Sequence, residues 1–241
     1  MKVVVESLLC GAGRAAGRVA IIDVFRAFTT AAVALANGAS RIVMVGTVDE
    51  ALDLRARGVA QVCIGEVRGR TPPGFDFGNS PFEVSAVQFG GRTLVQRTSA
   101  GTQGIVSAKS AERLYASSLV TASATARALI SGEPGVVTLV AMGRDGAVRT
   151  DEDELCALHL RNLLEGRAGD ADAIRKVILA GSEAERFGDP GRPHLHPGDL
   201  DIALDVDRYD FAVRVDTEDG VPTARMDRPT QGQLRGEGDG A

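Results

Sequence analysis

The chain has 241 residues, of which 44% are hydrophobic, and a formal net charge of −5. This length suits one apolar core, and the sequence predicts a single α/β domain over residues 1–228, undivided or built from two subdomains. The acidic balance and the lack of a Lys/Arg-rich block argue against nucleic acid as a partner, and no apolar run approaches the roughly 18 residues of a membrane span.

Short apolar segments alternate with helical ones along the chain. Strands are predicted at KVVVES (2–7), RVAIID (18–23), RIVMVG (41–46), QVCIGE (61–66), GRTLVQRT (91–98), SSLV (117–120) and GVVTLVAMG (135–143). Helices are predicted at FTTAAVALANGA (28–39), TVDEALDLRARG (47–58), within SAGTQGIVSAKSA (99–111), after SSLV as far as residue 132, and at DEDELCALHLRNLLEG (151–166). This alternation predicts crossover connections and an α/β fold with a parallel or mostly parallel sheet.

Several local patterns refine these predictions. Thr47 followed by Glu50 is typical of a capping box, and GAGRAAGR (11–18) is typical of a turn. The last dozen or so residues are polar and Gly-rich, so a frayed tail is expected over 229–241. The helix at 151–166 is expected to present one apolar side. That side is formed by Leu155, Leu158 and Leu163.

An acid, a base and two hydroxyls follow the strand that ends at Asp23. In open α/β sheets, ligands bind beyond the carboxyl ends of the strands. Asp23 is a hard oxygen ligand suited to Mg²⁺, and the forked guanidinium of Arg26 suits a phosphate. Thr29 and Thr30 fall in the first turns of the next helix, where free N–H groups favour an anion. The set suits phosphoryl transfer; the plainer alternative is that the threonines cap the helix and Asp23 pairs with Arg26.

The segment GEVRGRTPPGFDFGNSP, residues 65–81, lacks helix or strand periodicity. Long ordered loops in compact domains are usually functional. Glu66 stands at a strand end as a second carboxylate, Arg68 adds positive charge, and Asn79 and Ser80 can donate hydrogen bonds to an oxyanion. The alternative is a surface connection that its prolines stiffen.

The segment RTSAGTQG, residues 97–104, places hydroxyls and a glycine between a strand and a helix. It is similar to a generic phosphate cradle, but the GK[ST] ending of a P-loop is missing. Its candidate binding groups are Ser99, Gly101 and Thr102.

Acids also open the helix in TDEDELCA, residues 150–157. Asp151 and Glu152 fit the ordinary arrangement in which acids stabilise a helix N-terminus. Asp153 is interpreted as the member of this group that could reach a metal ion. The sequence therefore offers three separated carboxylates for one site.

Together and in this order, these stretches resemble the 2-phosphosulfolactate phosphatase family, the ComB-like proteins. The matching segments are IDVFRAFTTAAVALANGA (22–39), GE (65–66), GFDFGNSP (74–81), TSAGT (98–102), DEDELCA (151–157) and, more loosely, the HPGDLDIALDVD region with Asp201 and Ile202. The resemblance implies a three-layer α/β/α fold and a Mg²⁺-dependent phosphatase. It implies hydrolysis of 2-phosphosulfolactate to sulfolactate and phosphate, a step in coenzyme M synthesis. The chain departs from the family at two positions, Ala100 for an Asn and Leu158 for a Gly, and either change could alter the substrate pocket while leaving metal and phosphate binding intact.

The resemblance and the residues together suggest a metal-assisted hydrolysis. Asp23, Glu66 and Asp153 would hold Mg²⁺, and Asp23, Arg26 and Glu66 are counted as the catalytic residues. The phosphoryl group would be bound by Arg26, Thr29, Thr30, Asn79, Ser80, Ser99, Gly101 and Thr102, and the substrate's other acid groups by Arg68, Arg70 or Arg97. Water is preferred as the nucleophile, because Phe25 stands where a DxD phosphatase has its second acid. Attack by Asp23 itself stays open.

The same residues leave two other functions open. The fold could act on another phosphorylated hydroxy acid, or could bind a phosphometabolite without catalysis. The expected partner is a small anionic phosphorylated substrate, with no nucleic acid and no membrane; a homo-oligomer stays open. A cytoplasmic location is expected, because MKVVVESLLC is unlike a secretory signal and the three cysteines are interpreted as reduced thiols.

Overall fold

The computed structural model describes residues 1–167 and 169–228. The predicted frayed tail, 229–241, lies outside the described residues. The strands are β1 Lys2–Ser7, β2 Gly17–Ile22, β3 Arg41–Met44, β4 Val62–Gly65, β5 Thr93–Arg97, β6 Ala111–Ser117, β7 Val136–Ala141, β8 Ala212–Glu218 and β9 Val221–Asp227. The α-helices are α1 Leu8–Arg14, α2 Ala27–Ala36, α3 Val48–Ala56, α4 Pro81–Ser85, α5 Gly101–Ser107, α6 Ala122–Ile130, α7 Asp151–Leu164, α8 Ala171–Leu179 and α9 Gly198–Ala203.

All these strands belong to one sheet of nine, in the order β1-β7-β2-β6-β8-β9-β3-β5-β4. Strands β1, β7, β2 and β6 pair in parallel, as do β3, β5 and β4. The antiparallel hairpin β8–β9 joins the two parallel blocks at the centre of the sheet. The sheet is therefore mixed and mostly parallel, which confirms the predicted α/β/α class.

Helices cover both faces of the sheet. Side chains alternate along β2, so Val19 and Ile21 enter one apolar cluster and Ala20 and Ile22 enter another. The first cluster draws on both parallel blocks and on α2 and α5. The second packs β1, β2 and β7 against α6 and α7, and a third lies between α3 and the block of β3, β4 and β5.

The capping box is confirmed, whereas two local predictions are wrong. The side chain of Thr47 accepts the Glu50 amide, and the Glu50 side chain accepts the Thr47 amide. Residues 11–18 do not form a simple turn, because α1 runs as far as Arg14 and β2 begins at Gly17. SSLV is not a strand: β6 ends at Ser117, and Leu119–Thr121 is a short 3₁₀ helix. A short apolar run does not distinguish a buried strand from a buried helical turn.

The predicted apolar side of α7 is confirmed in part. Leu155 and Leu163 are partly buried and pack against the core, whereas Leu158 is 48% exposed. The buried side of the helix is formed by Cys156, Leu160 and Leu164. Their spacing of four follows the helical repeat, but the exposed leucine obscures it in the sequence. In the described ranges, no helix combines the length and apolarity needed to cross a bilayer.

Candidate active site

A cleft of about 110 Å³ lies where loops from both parallel blocks meet. Its wall is made by residues that follow β2, β4, β5 and β7, by the first turn of α7, and by the segment from Glu183 to Leu195. The wall therefore joins chain segments that are far apart in sequence. It combines acidic, basic and neutral polar side chains, of which the predicted members are Asp23, Arg26, Glu66, Arg68, Asn79 and Ser99.

Asp23 is the buried carboxylate that directly follows β2. Its Oδ1 accepts the Ala27 amide at 2.9 Å, so the first turn of α2 is directed at this side chain. A Cβ on Gly101 would lie 2.9 Å from Asp23 Oδ2, so a glycine lets the loop after β5 approach the carboxylate. Burial raises the pKa of Asp23 to about 6, the Ala27 amide opposes the rise, and the charge of Glu66 adds to it.

Glu66 connects two loops at the edge of the cleft. Its Oε1 accepts the Ser99 amide at 2.5 Å, and its Oε2 accepts the Gly69 amide at 2.6 Å and the Ser99 hydroxyl at 3.1 Å. The Arg68 amide donates to Ser99 Oγ at 2.9 Å. Glu66 and Ser99, which were predicted separately as site residues, thus form a hydrogen-bonded unit in the cleft wall, and Arg68 stands beside it.

Arg26 is buried and pairs with Asp199 rather than with Asp23. Its Nη1 donates to Asp199 Oδ2 at 2.7 Å and to the His194 carbonyl at 2.9 Å. The guanidinium carbon lies 5.9 Å from the centroid of the Phe187 ring. In the described part of the chain no hydrogen bond uses Nε or Nη2 of Arg26, so these donors are available to a ligand in the cleft.

Asp199 is a buried acid that the sequence reasoning missed. It is fully buried, and its Oδ1 accepts the Ser80 hydroxyl at 2.6 Å and the Phe82 amide at 3.1 Å. The loose resemblance pointed instead to Asp201, which is exposed. Ser80 caps α4 and binds Asp199, and it lies outside the cleft wall.

Three predicted phosphate-binding hydroxyls are bonded inside the protein. Thr29 Oγ1 donates to the Val24 carbonyl at 2.8 Å, Thr30 Oγ1 to the Asn79 carbonyl at 3.3 Å, and Thr102 Oγ1 to the Thr98 carbonyl at 3.0 Å. These threonines are fully buried and lie outside the cleft wall, as does Gly101. Their hydrogen bonds hold in place the loops that carry the side chains lining the cleft.

The two neighbouring acids at the start of α7 have different surroundings. Asp153 accepts the Val24 amide at 2.7 Å and the Gly143 amide at 2.8 Å, so it ties the ends of β2 and β7 together and lies outside the wall. Glu152 lines the cleft, is 3% exposed, and has an Oε2 without a hydrogen-bond partner among the described residues. Burial raises the pKa of Glu152 to about 7, and the charges of Glu183 and Asp23 add to the rise.

The donor atoms of the cleft fit a hard cation such as Mg²⁺. Glu152 Oε2 and Asn79 Oδ1 are buried oxygens without partners in the described ranges, and both residues line the cleft. Over the same ranges, no three or more His, Cys, Asp and Glu side chains form a ready-made metal cage. Mg²⁺ commonly takes only one or two carboxylates together with water and substrate phosphate, so an incomplete cage of oxygens is compatible with it.

Comparison with known families gives a direct result. The profile of the family described as "2-phosphosulpholactate phosphatase" matches residues 9–186. The chain belongs to this family. The resemblance inferred from the sequence is thereby confirmed, and the protein is a member of a family of phosphoric monoester hydrolases.

Relatives that carry the same name align over most of the chain. The probable 2-phosphosulfolactate phosphatase of Bacillus subtilis (strain 168) is 31% identical over 207 residues, which is 84% of this chain and 89% of the relative. That of Deinococcus radiodurans is 32% identical over 210 residues, covering 84% and 85%. That of Thermotoga petrophila is 38% identical over 150 residues, covering 62% and 64%.

Of the two positions at which this chain departs from the family, only one lines the cleft. Ala100 lines the cleft, so the missing amide changes its wall. Leu158 is exposed on α7 and lies outside the wall. The family match ends at residue 186, and Phe187, His194 and Leu195, which also line the cleft, follow it.

Proposed function

We propose that the protein is a Mg²⁺-dependent phosphatase that hydrolyses 2-phosphosulfolactate to sulfolactate and phosphate, with water as the nucleophile. One observation carries the proposal: buried carboxylates and the unused side of the Arg26 guanidinium line the same small cleft. Membership of the phosphatase family and the names of the relatives support the substrate.

Three acids of the cleft are assigned to the metal. Asp23 and Glu66, the predicted ligands, line the cleft, and Glu152 is assigned in place of the predicted Asp153, because Glu152 lines the cleft and Asp153 lies outside its wall. When bound, Mg²⁺ would neutralise phosphoryl charge and favour ionisation of a water molecule. Burial disfavours charged carboxylates in the free protein, so this end of the cleft favours a compensating cation.

Arg26 is assigned to the phosphoryl group. Its Nη1 is fixed by Asp199, and the remaining donors can bind two oxygens of a phosphate as a rigid fork. Because the charge on those oxygens changes during transfer, a fixed guanidinium stabilises the transition state without reorganising. Asn79 and Ser99 stand in the same wall and add polar contacts to the substrate.

Water is preferred over Asp23 as the nucleophile. Asp23 Oδ1 accepts the Ala27 amide, and Oδ2 lies against Gly101. Both oxygens are therefore constrained by backbone. The residue two positions on is Phe25, which cannot protonate a leaving group as the second acid of a DxD pair would.

The test is phosphate release from 2-phosphosulfolactate and from a panel of phosphorylated hydroxy acids, each with and without Mg²⁺. Metal-dependent release that is highest for 2-phosphosulfolactate is the expected result. Release from a different panel member would keep the chemistry and change the substrate. No release from any compound in the presence of metal would reject the phosphatase and favour a non-catalytic binder of a phosphometabolite.

A further inference from the structure

We propose that Arg144 and Arg186, held together by Glu183, form the subsite for the second acid group of the substrate. This group is a carboxylate or sulfonate, so the subsite selects phosphorylated hydroxy acids over phosphate monoesters that carry no such group. The proposal rests on the proposed function, because it places the acid group in the cleft that would bind the phosphoryl group.

A shared carboxylate fixes the two guanidinium groups. Arg144 Nη1 donates to Glu183 Oε1 at 2.7 Å, and Arg186 Nη1 donates to Glu183 Oε2. All three residues line the cleft. Two guanidinium charges facing one carboxylate leave a net positive charge, and among the described residues neither arginine uses its other N–H groups. Those donors can bind an anion in the bidentate manner typical of arginine.

The cluster stands next to the proposed phosphoryl-binding arginine. Arg26 donates to the His194 carbonyl and lies beside the ring of Phe187, the residue after Arg186. Arg26 and Arg186 line the same cleft, whose volume is only about 110 Å³. A small substrate can therefore contact both arginines at once.

The cluster is also close to the acidic end of the cleft. The charge of Glu183 contributes to the raised pKa of Glu152, and so does that of Asp23. Glu183, Glu152 and Asp23 all line the same cleft. A substrate bound there can therefore place its phosphoryl group near the proposed metal ligands and its acid group at the arginines that Glu183 holds.

The arginines suggested by the sequence are less suitable. Arg97 donates to the carbonyls of Glu66 and Gly46 at 2.8 and 3.2 Å and lies outside the cleft wall, as does Arg70. Arg68 lines the cleft, but in the described ranges no side-chain partner fixes its guanidinium. A group held in place before binding loses less conformational freedom when the ligand arrives, which favours Arg144 and Arg186.

The experiment compares kcat/KM for 2-phosphosulfolactate with kcat/KM for 4-nitrophenyl phosphate, a monoester without a second acid group. Arg186→Gln removes the positive charge and keeps much of the side-chain length. We expect the ratio of the two values to fall by about tenfold or more, the loss typical of one charge-assisted hydrogen bond. The loss should appear in KM for the acid substrate, because the contact serves binding.

Arg192→Gln is the matched control. Arg192 pairs with Asp189 in the same segment and lies outside the cleft wall. We expect this variant to keep the wild-type ratio. An unchanged ratio in Arg186→Gln, or an equal fall in both variants, would overturn the subsite.

Calorimetric titration with sulfolactate, which has no phosphoryl group, separates this proposal from the proposed function. The subsite predicts that the wild-type protein binds sulfolactate and that Arg186→Gln binds it about tenfold more weakly, even if no phosphate ester is hydrolysed. Hydrolysis of phosphate esters without measurable sulfolactate binding, or with equal binding by both proteins, would overturn the subsite and leave the phosphatase in place.

Discussion

The guanidinium of Arg26 and the carboxylate of Asp199 form a buried ion pair, 2.7 Å between Nη1 and Oδ2, across 173 positions of sequence. The same carboxylate binds the hydroxyl of Ser80 and the amide of Phe82. Asp199 therefore connects the strand-end segment after β2, the start of α4 and the start of α9. This connection fixes the orientation of the arginine assigned to the phosphoryl group.

Asp199→Asn should destabilise the protein by about 3 kcal/mol. The substitution keeps the size of the side chain but leaves the Arg26 charge buried without its counterion, which is the costly way to break a buried pair. Chemical unfolding at constant pH measures the change. Asp201→Asn, two residues away and exposed, should change the unfolding free energy by no more than about 0.5 kcal/mol. Similar values for both variants would contradict the role given to the buried pair.

Arg26→Lys should weaken inhibition by inorganic phosphate by about tenfold. The lysine can keep a positive charge near Asp199, but it has no second arm with which to bind two phosphate oxygens. The measurement is the inhibition constant of phosphate, determined alongside the melting temperature so that loss of fold is recognised. Arg92→Lys serves as the control because Arg92 binds the backbone carbonyls of Phe89 and Gln88 away from the cleft. An unchanged phosphate constant in Arg26→Lys would remove this arginine from the binding site.

The positions of Asp23 and Glu66 could be predicted because they depend on local pattern. A buried strand whose apolar run ends in an acid places that acid at the carboxyl edge of the sheet, and both residues line the cleft. The same reasoning found Ser99, which follows β5, whereas Asn79 was found because it lies in the long loop before α4. These residues belong to segments that the family match also covers.

The remaining features depend on long-range packing. The β8–β9 hairpin pairs with β6 and β3, which are far from it in sequence. Periodicity within a segment carries no information about such partners. Asp199 was missed for the same reason. The choice between Glu152 and Asp153 depends on the rotation of α7 about its axis, since consecutive residues of a helix point in different directions.

The metal-free protein should lose stability as the pH rises from about 4 to about 7. Burial raises the pKa of Asp23 from 3.8 to about 6 and that of Glu152 from 4.5 to about 7. The folded state therefore binds more protons than the unfolded chain in this window, and stability falls with rising pH. The stability that these two bound protons contribute is fully present below the ordinary pKa values and is lost above the pKa values of the folded state.

For Asp23, the shift from 3.8 to about 6 corresponds to an upper bound of about 3 kcal/mol. Urea unfolding in the presence of a chelator at pH 5 and pH 8 measures the difference. Asp23→Asn should reduce the difference, whereas Asp53→Asn, on the exposed side of α3, should leave it unchanged. Stability that rises with pH over this window in the wild-type protein would contradict the assignment of burial as the dominant cause.

Glu152→Gln should lower the affinity for Mn²⁺, used as a spectroscopic substitute for Mg²⁺, by about tenfold or more. Glu152 lines the cleft and its Oε2 has no partner in the described ranges, so the substitution removes a negative charge from the cation site while keeping the shape. The free Mn²⁺ signal in electron paramagnetic resonance reports binding without requiring turnover.

Glu154→Gln is the control, because it makes the same chemical change in the same helical turn. Glu154 accepts the Ser7 hydroxyl at 2.6 Å and lies outside the cleft wall, so it should retain wild-type Mn²⁺ affinity. If both variants lose Mn²⁺ affinity equally, the loss is caused by the reduced negative charge at the start of α7 and not by removal of a metal ligand. If only Glu152→Gln loses affinity, the carboxylate that contacts the cation is Glu152, and Asp153 serves to hold β2 and β7 together.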